Sequence, residues 1–215
     1  MTINEIKEQL KQYDRKQLYR EKVIKMQKAM AEQGIDGIIC FKPQNTFFLS
    51  GFNPILYSHP VVVVIPQEGN AVLLVHSLRA RHSADEAAIE DIRLFGMWAN
   101  QKPIANDAYS AIDIIVSDLR MKGKVLGYEG DFISLSQYQK LQDITQATKM
   151  VDVSDFLKRS RNIKDEYEIN LLRLSSYLTN VGMEAALANI RKSEAEASIA
   201  AEIAMRETWA KELSE

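Results

Sequence analysis

The 215-residue sequence has a single cysteine, Cys40, so no disulfide can form within the chain. Disulfides persist in oxidising compartments, and a chain without them is typical of a reducing one. Cys40 lies in the apolar run Gly37–Phe41, which predicts a small buried thiol in a strand. A redox or nucleophilic role would need an activating base beside it, and the sequence indicates none.

Long hydrophobic runs and an excess of one charge are also missing. Apolar stretches such as Val61–Ile65 are far shorter than the roughly 20 residues that span a bilayer, and residues 1–10 lack the apolar centre of a signal peptide. The 27 basic and 29 acidic residues leave a formal net charge of -2. Such a balanced charge does not indicate the basic stripe that is typical of a nucleic-acid-binding protein. We therefore predict a cytoplasmic protein with no membrane or nucleic-acid partner.

Strand and helix patterns alternate over residues 15–155. Apolar runs predict strands at Ile35–Phe41, Asn45–Ser50, Val61–Ile65, Ala71–His76, Asp91–Phe95, Lys124–Tyr128 and Met150–Val153. Helical spacing or capping pairs predict helices from Thr2, from Asp14, over Ser77–Ala88 and Asn106–Met121, and from Ser134. A short Gly-containing turn joins the third and fourth runs as a hairpin. The fold class predicted is α/β, with a mixed β-sheet flanked by helices.

The pattern changes after Asp155, where strand signals and proline both disappear. Apolar residues from Tyr167 to Ala185 recur at steps of three and four, which predicts a long amphipathic helix. Ser193 with Glu196 predicts the start of another helix. We therefore divide the sequence into an N-terminal helix (1–14), an α/β domain (15–155), and a linker with two helices (156–215).

Four segments, taken together, resemble the creatinase/prolidase/aminopeptidase P family. They are Gly34–Gly37, Asn45–Phe52, Arg161–Ile169 and Ser193–Glu196, and they occur in the family's order and spacing. The third segment also has a purely structural interpretation, because Asp165 and Glu168 form a capping-box pair at a helix start.

The resemblance implies a creatinase/prolidase N-terminal domain followed by the first helices of a pita-bread catalytic domain. It implies the chemistry of a metal-dependent Xaa-Pro peptidase or a creatinase-like C–N hydrolase, with two divalent metals (Mn, Co or Zn) in a full-length relative. It also implies a homodimer acting on a peptide or small-amide substrate. We predict that the domain itself serves dimerisation and substrate gating; the alternative is a non-catalytic binding or oligomerisation module without hydrolase activity.

The metal ligands of this family are two Asp, one His and two Glu, all beyond the first two helices of the catalytic domain. The three histidines here, His59, His76 and His82, all precede the Arg161–Ile169 segment. We therefore assign no catalytic, cofactor-binding or metal-ligating residue. The pita-bread part is expected to be incomplete, and the chain alone is expected to be inactive and to bind no cofactor.

One candidate site remains, the loop Phe52–Pro60. In the family, the loop after the "L-S-G-F" segment often reaches the active site of the dimer partner. The resemblance therefore implies that Phe52, Tyr57 and His59 line a small-substrate pocket in the partner subunit's site. The alternative is that Tyr57 and His59 cap a hydrophobic sheet edge.

Overall fold

The computed structural model describes residues 2–56, 58–97 and 102–213. The chain forms two compact units: an α/β unit, Arg15–Asn162, and a helical unit made of residues 1–14 and 163–215. Within the described ranges, no helix combines the length and the apolarity needed to cross a bilayer.

The α/β unit is built on a six-stranded mixed sheet. Its strands are β1 (Gly37–Cys40), β2 (Val62–Pro66), β3 (Val72–His76), β4 (Asp91–Phe95), β5 (Val125–Tyr128) and β6 (Lys149–Asp152). Their spatial order is β4-β3-β2-β1-β5-β6. The pairs β1–β2 and β2–β3 are antiparallel, whereas β3–β4, β1–β5 and β5–β6 are parallel. Both the predicted mixed sheet and the predicted hairpin, β2–β3, are confirmed.

Helices cover both faces of this sheet. They are α2 (Arg15–Glu32), α3 (Pro43–Ser50), α4 (Ala80–Glu86), α5 (Ala108–Asp118), α6 (Leu135–Thr145) and α7 (Ser154–Asn162), with a 3-10 turn at Ser77–Arg79. Successive strand residues point to opposite faces, so Ile38 packs with α2, α3 and α7 whereas Ile39 packs with α5 and α6. Because both faces are covered, the central strands consist of apolar residues without polar alternation.

The prediction of a strand at Asn45–Ser50 is wrong, because these residues belong to helix α3. Pro43 occupies the first turn, where its fixed φ suits a helix and its missing N–H costs nothing. Gly51 ends the helix in the left-handed conformation, with φ 68°. These two signals outweigh the strand preference of the short aromatic run between them. Helix α7, for which no helix was predicted from the sequence, buries Leu157.

The helical unit consists of α1 (Ile3–Lys11), α8 (Glu166–Asn189) and α9 (Glu194–Thr208), followed by a π-helical turn at Trp209–Leu213. A reciprocal capping box between Asp165 and Glu168 starts α8. A side chain at Gly182 would lie 2.9 Å from the Met205 side chain, so this glycine permits the close packing of α8 on α9.

Helix α1 packs on α8, although the sequence places them far apart. Ile6 is buried, Asn170 donates a hydrogen bond to the Gln9 side chain at 3.1 Å, and the rings of Tyr13 and Tyr167 meet edge to face at 5.6 Å. The first 14 residues therefore share a compact unit with the C-terminal helices.

Candidate active-site loop

The candidate loop begins inside the core of the α/β unit. The Phe52 side chain is 0% exposed, its backbone N–H donates to Ser50 Oγ at 3.1 Å, and its ring meets the His82 ring edge to face at 5.0 Å. The predicted pocket-lining role of Phe52 stays a prediction. With no exposed surface in this chain, its ring would influence a pocket only by anchoring the loop.

Two side chains from the segment after β3 hold the loop. The Glu86 carboxylate accepts a hydrogen bond from the Asn53 backbone N–H at 3.1 Å, and the His82 Nε2 atom lies 3.1 Å from the same carboxylate. The Arg79 guanidinium donates to the Leu56 carbonyl at 3.3 Å. The loop is therefore fastened to the 3-10 turn and to α4.

The tip of the loop is a strained turn with exposed aliphatic side chains. The Leu56 N–H donates to the Pro54 carbonyl at 2.6 Å, which places Ile55 at φ 64°. A β-branched residue at positive φ costs on the order of 1–3 kcal/mol. Ile55 is 77% exposed and Leu56 is 68% exposed, so the tip presents apolar surface to solvent at a cost in backbone energy.

His59 stacks on a second histidine, His76, at the end of β3. The ring centroids are 3.9 Å apart and the ring planes differ by 28°. The Ser58 hydroxyl lies 3.1 Å from His59 Nδ1. Tyr57, the other predicted lining residue, lies outside the described residues, so its role and the sheet-edge alternative both stay predictions.

His76 was not a candidate in the sequence analysis, although the hairpin contained the signal for it. Val62 pairs with Leu74, so extending that register by two residues places Pro60 opposite His76 and brings His59 beside it. Burial, and after it the neighbouring His59, lower the pKa of His76 below its ordinary value. His76 Nδ1 accepts a hydrogen bond from the Leu78 N–H at 3.2 Å.

A second buried ionisable group, Glu129, lies at the end of β5. Its carboxylate accepts hydrogen bonds from the backbone N–H groups of Phe41 (2.6 Å) and Lys42 (2.8 Å) and from the Asn45 amide (2.5 Å). Burial raises the pKa of Glu129, and these hydrogen bonds partly offset that effect. The contacts join the ends of β1 and β5 to the first turn of α3, which is a structural role.

The described residues do not provide a metal centre. Among residues 2–56, 58–97 and 102–213, no three His, Cys, Asp or Glu side chains are grouped so that they could hold a metal ion. The two metals that the family resemblance implies therefore have no ligand set in this part of the chain. Cys40 is buried, and burial raises the pKa of its thiol well above the ordinary value, which confirms the predicted buried thiol.

Known proteins are similar to this sequence over most of its length. The chain is 24% identical over 174 residues to YkvY of Bacillus subtilis, which is named provisionally as a dipeptidase. It is 22% identical over 184 residues to the Xaa-Pro dipeptidase of Pyrococcus furiosus. These matches cover 81% and 86% of this chain, but 46% and 47% of the two relatives. The chain thus spans about half the length of the curated relatives it matches.

Solved structures show the same fold. The prolidase from Pyrococcus horikoshii OT3 matches with a TM-score of 0.68 and 22% identity, covering 87% of this chain and 49% of that one. A solved Creatinase/Prolidase N-terminal domain of an X-Pro dipeptidase from Streptococcus pyogenes matches with a TM-score of 0.52 and 16% identity. That match covers 65% of this chain and 98% of the solved domain.

The family assignment follows from the sequence profile described as "Creatinase/Prolidase N-terminal domain". It matches residues 22–163, which include every strand of the mixed sheet and the whole candidate loop. This chain belongs to the creatinase/prolidase N-terminal domain family.

Proposed function

We propose that this chain is the N-terminal part of a metal-dependent Xaa-Pro peptidase of the aminopeptidase P/prolidase type. The observation that carries the proposal is the family match over residues 22–163. Relatives named Xaa-Pro dipeptidase and prolidase support the peptide substrate. A relative named creatinase, 23% identical over 179 residues, makes a creatinase-like C–N hydrolase the related possibility.

We further propose that the α/β unit serves dimerisation and substrate gating in a homodimer. The tip residues Ile55 and Leu56 offer apolar surface for contact with a partner subunit. His59 is held by its stack on His76, so its imidazole is positioned by the fold. The two divalent metals (Mn, Co or Zn) would be held by residues other than those described here, and we place the protein in the cytoplasm.

The proposal can be tested on the protein expressed from its complete gene. We expect hydrolysis of Xaa-Pro dipeptides in the presence of Mn²⁺, Co²⁺ or Zn²⁺. Changing His59→Ala, and separately Tyr57→Phe, should lower kcat/KM roughly tenfold, equivalent to about 1.4 kcal/mol of transition-state stabilisation. Glu68→Ala, an exposed change in the β2–β3 turn, is the matched control and should leave kcat/KM unchanged.

The outcomes separate the proposed roles. Turnover that is equal in the wild type and both loop variants would contradict the gating role while leaving the peptidase assignment intact. A complete protein that turns over neither Xaa-Pro peptides nor creatine with any of the three metals would contradict the hydrolase. That result would support the alternative, a non-catalytic binding or oligomerisation module.

A further inference from the structure

We propose that His59 and His76 form a protonation-sensitive latch, which holds the candidate loop against the end of β3 when both imidazoles are neutral and releases it in acid. This goes beyond the proposed function and requires no catalytic activity. The proposal rests on the ring stack, on the hydrogen bond that His76 accepts, and on the tether that this hydrogen bond supports.

The ring geometry excludes a shared metal ion as the reason for the pairing. A ligated metal lies close to the plane of each imidazole that binds it. The rings of His59 and His76 are stacked 3.9 Å apart and only 28° from parallel, so their nitrogens cannot converge on one ion. Stacking between uncharged rings accounts for the contact, and it becomes unfavourable when both rings carry charge.

The hydrogen bond at His76 determines which ring nitrogen carries the proton when the imidazole is neutral. Because Nδ1 accepts from the Leu78 N–H at 3.2 Å, this nitrogen carries no proton, and the neutral ring carries its proton on Nε2. A second proton would have to bind at Nδ1, where it would face the Leu78 N–H. Protonation of His76 therefore breaks this hydrogen bond.

The lost hydrogen bond matters because it caps the turn that holds the loop. His76 is the N-cap of the 3-10 turn Ser77–Arg79, and Arg79 donates to the Leu56 carbonyl. Protonation of His76 thus weakens the attachment of the loop at Leu56, and repulsion weakens the attachment at His59 when both rings carry charge. The tether from Glu86 to Asn53 does not involve His76, so the first residues of the loop stay attached.

The space around His76 leaves the protonated ring little room to adjust. A Cβ at Gly96 would clash with His76 Nε2, so the Gly96 backbone lies against the ring. The Phe95 ring meets His76 edge to face at 5.2 Å. We therefore expect the added charge to be relieved by displacement of His59 and its loop.

No carboxylate among the described groups compensates a charge on His76. The charged groups on the neighbouring elements have other partners: Arg79 donates to the Leu56 carbonyl, Glu86 lies beside His82, and Arg93 is bound to Asp91 and Asp118. Burial is the larger cause of the lowered pKa of His76. Among the described charged or titratable groups, His59 is the one that also lowers this pKa.

The direction of the pH dependence follows from the lowered pKa. The folded chain binds a proton at His76 less readily than the unfolded chain does, so the latch is fully formed above the ordinary imidazole pKa of about 6.5. The contribution of the latch to holding the loop begins to decline below that pH. It is lost as the pH falls through the lowered pKa of His76 in the folded chain.

The experiment is hydrogen exchange and histidine NMR on the intact chain. Between about pH 7.5 and about pH 5, the protection factor of the Leu56 amide, which donates to the Pro54 carbonyl, should fall at least about tenfold, while that of Asn53 stays within about threefold. His59→Phe keeps a stacking ring without a second charge and should raise the measured pKa of His76. His76→Asn provides a non-titrating side chain that can still cap the turn.

The double variant His59→Phe, His76→Asn should abolish the fall in protection, whereas the control His82→Gln should retain it. Equal wild-type protection at both pH values would overturn the latch. Persistence of the full pH dependence in the double variant would also overturn it, because another group would then be responsible.

Discussion

At the scale of single residues, Asn45 and Glu129 define a buried polar contact that joins α3 to the sheet. Asn45 is almost completely buried and donates to the Glu129 carboxylate. The Asn45 Oδ1 atom has no hydrogen-bond partner among the described residues. Because the pKa of Glu129 is raised by burial, its contribution to stability is largest below the ordinary pKa of about 4.3 and declines as the pH rises through the raised value.

Changing Asn45→Asp should be strongly destabilising at neutral pH, because it places a second carboxylate against Glu129. We expect a loss of about 3 kcal/mol or more in the free energy of unfolding. Part of the loss should be recovered at pH 5, where the two carboxylates can share a proton. Denaturant titrations at both pH values measure this. The control Asn45→Leu removes a hydrogen bond without adding a charge, so it should cost about 1–3 kcal/mol and recover less at pH 5.

Gly96→Ala tests the packing of backbone against His76. Gly96 has φ 86°, and an added Cβ would clash with the imidazole. Gly69 has φ 99° but nothing within 4 Å of the added Cβ, so Gly69→Ala isolates the backbone cost of roughly 1 kcal/mol. We expect Gly96→Ala to lower the free energy of unfolding by about 1–2 kcal/mol more than the control. Equal losses would show that the His76 ring moves aside freely.

At the scale of elements, the sequence predicted the sheet well because burial on both faces produces uninterrupted apolar runs. Asp91–Phe95 was located to the residue, and the β2–β3 hairpin followed from two such runs around a glycine turn. The prediction of a strand at Asn45–Ser50 was wrong because so short an aromatic run does not show whether its apolar residues repeat with the period of a strand or of a helix. Pro43 and Gly51 are the signals of a helix start and a helix end. The His59–His76 pair lies beyond the paired residues of the β2–β3 hairpin, so the strand pattern alone does not predict it.

The Asp165 cap should contribute measurably to α8. Its carboxylate accepts from the Glu168 N–H at 2.8 Å, and Glu168 accepts in return from the Asp165 N–H. We expect Asp165→Ala to cost about 1 kcal/mol, as found for other N-caps. Ser193→Ala at the start of α9 is the matched control, since it removes a cap with a longer N–H···O distance of 3.2 Å. Helix content and thermal unfolding of both variants give the comparison, and an unchanged Asp165→Ala protein would contradict the assigned role.

At the scale of the whole molecule, the chain consists of two compact units, and the domain limits given by the sequence stay predictions. The predicted domain ended at residue 155, whereas the α/β unit extends through α7 to Asn162. Leu157 on α7 is buried in the same cluster as Ile38 and Val63. The amphipathic spacing of α7 spans only two turns and ends in charged residues, so the sequence carried little sign of where it packs.

Fragments can decide which limit is thermodynamically relevant. We expect residues 15–162 to unfold cooperatively on their own. Residues 15–155 should be less stable by about 2–5 kcal/mol, because they lose the buried side chain of Leu157. The point variant Leu157→Ala in the longer fragment separates the loss of this side chain from the loss of the rest of α7. Equal stability of the two fragments would place the limit at residue 155.

The packing of α1 on α8 has a consequence for the order of events on the ribosome. Helix α1 is synthesised before the α/β unit, yet its docking surface on α8 follows only after roughly 150 further residues. At about 5–20 residues per second, that delay lasts about 8–30 seconds. The α/β unit has time to fold within that interval, while the apolar side of α1, including Ile6, stays uncovered and available to chaperones. The helical unit therefore cannot be completed until the whole α/β unit has been synthesised.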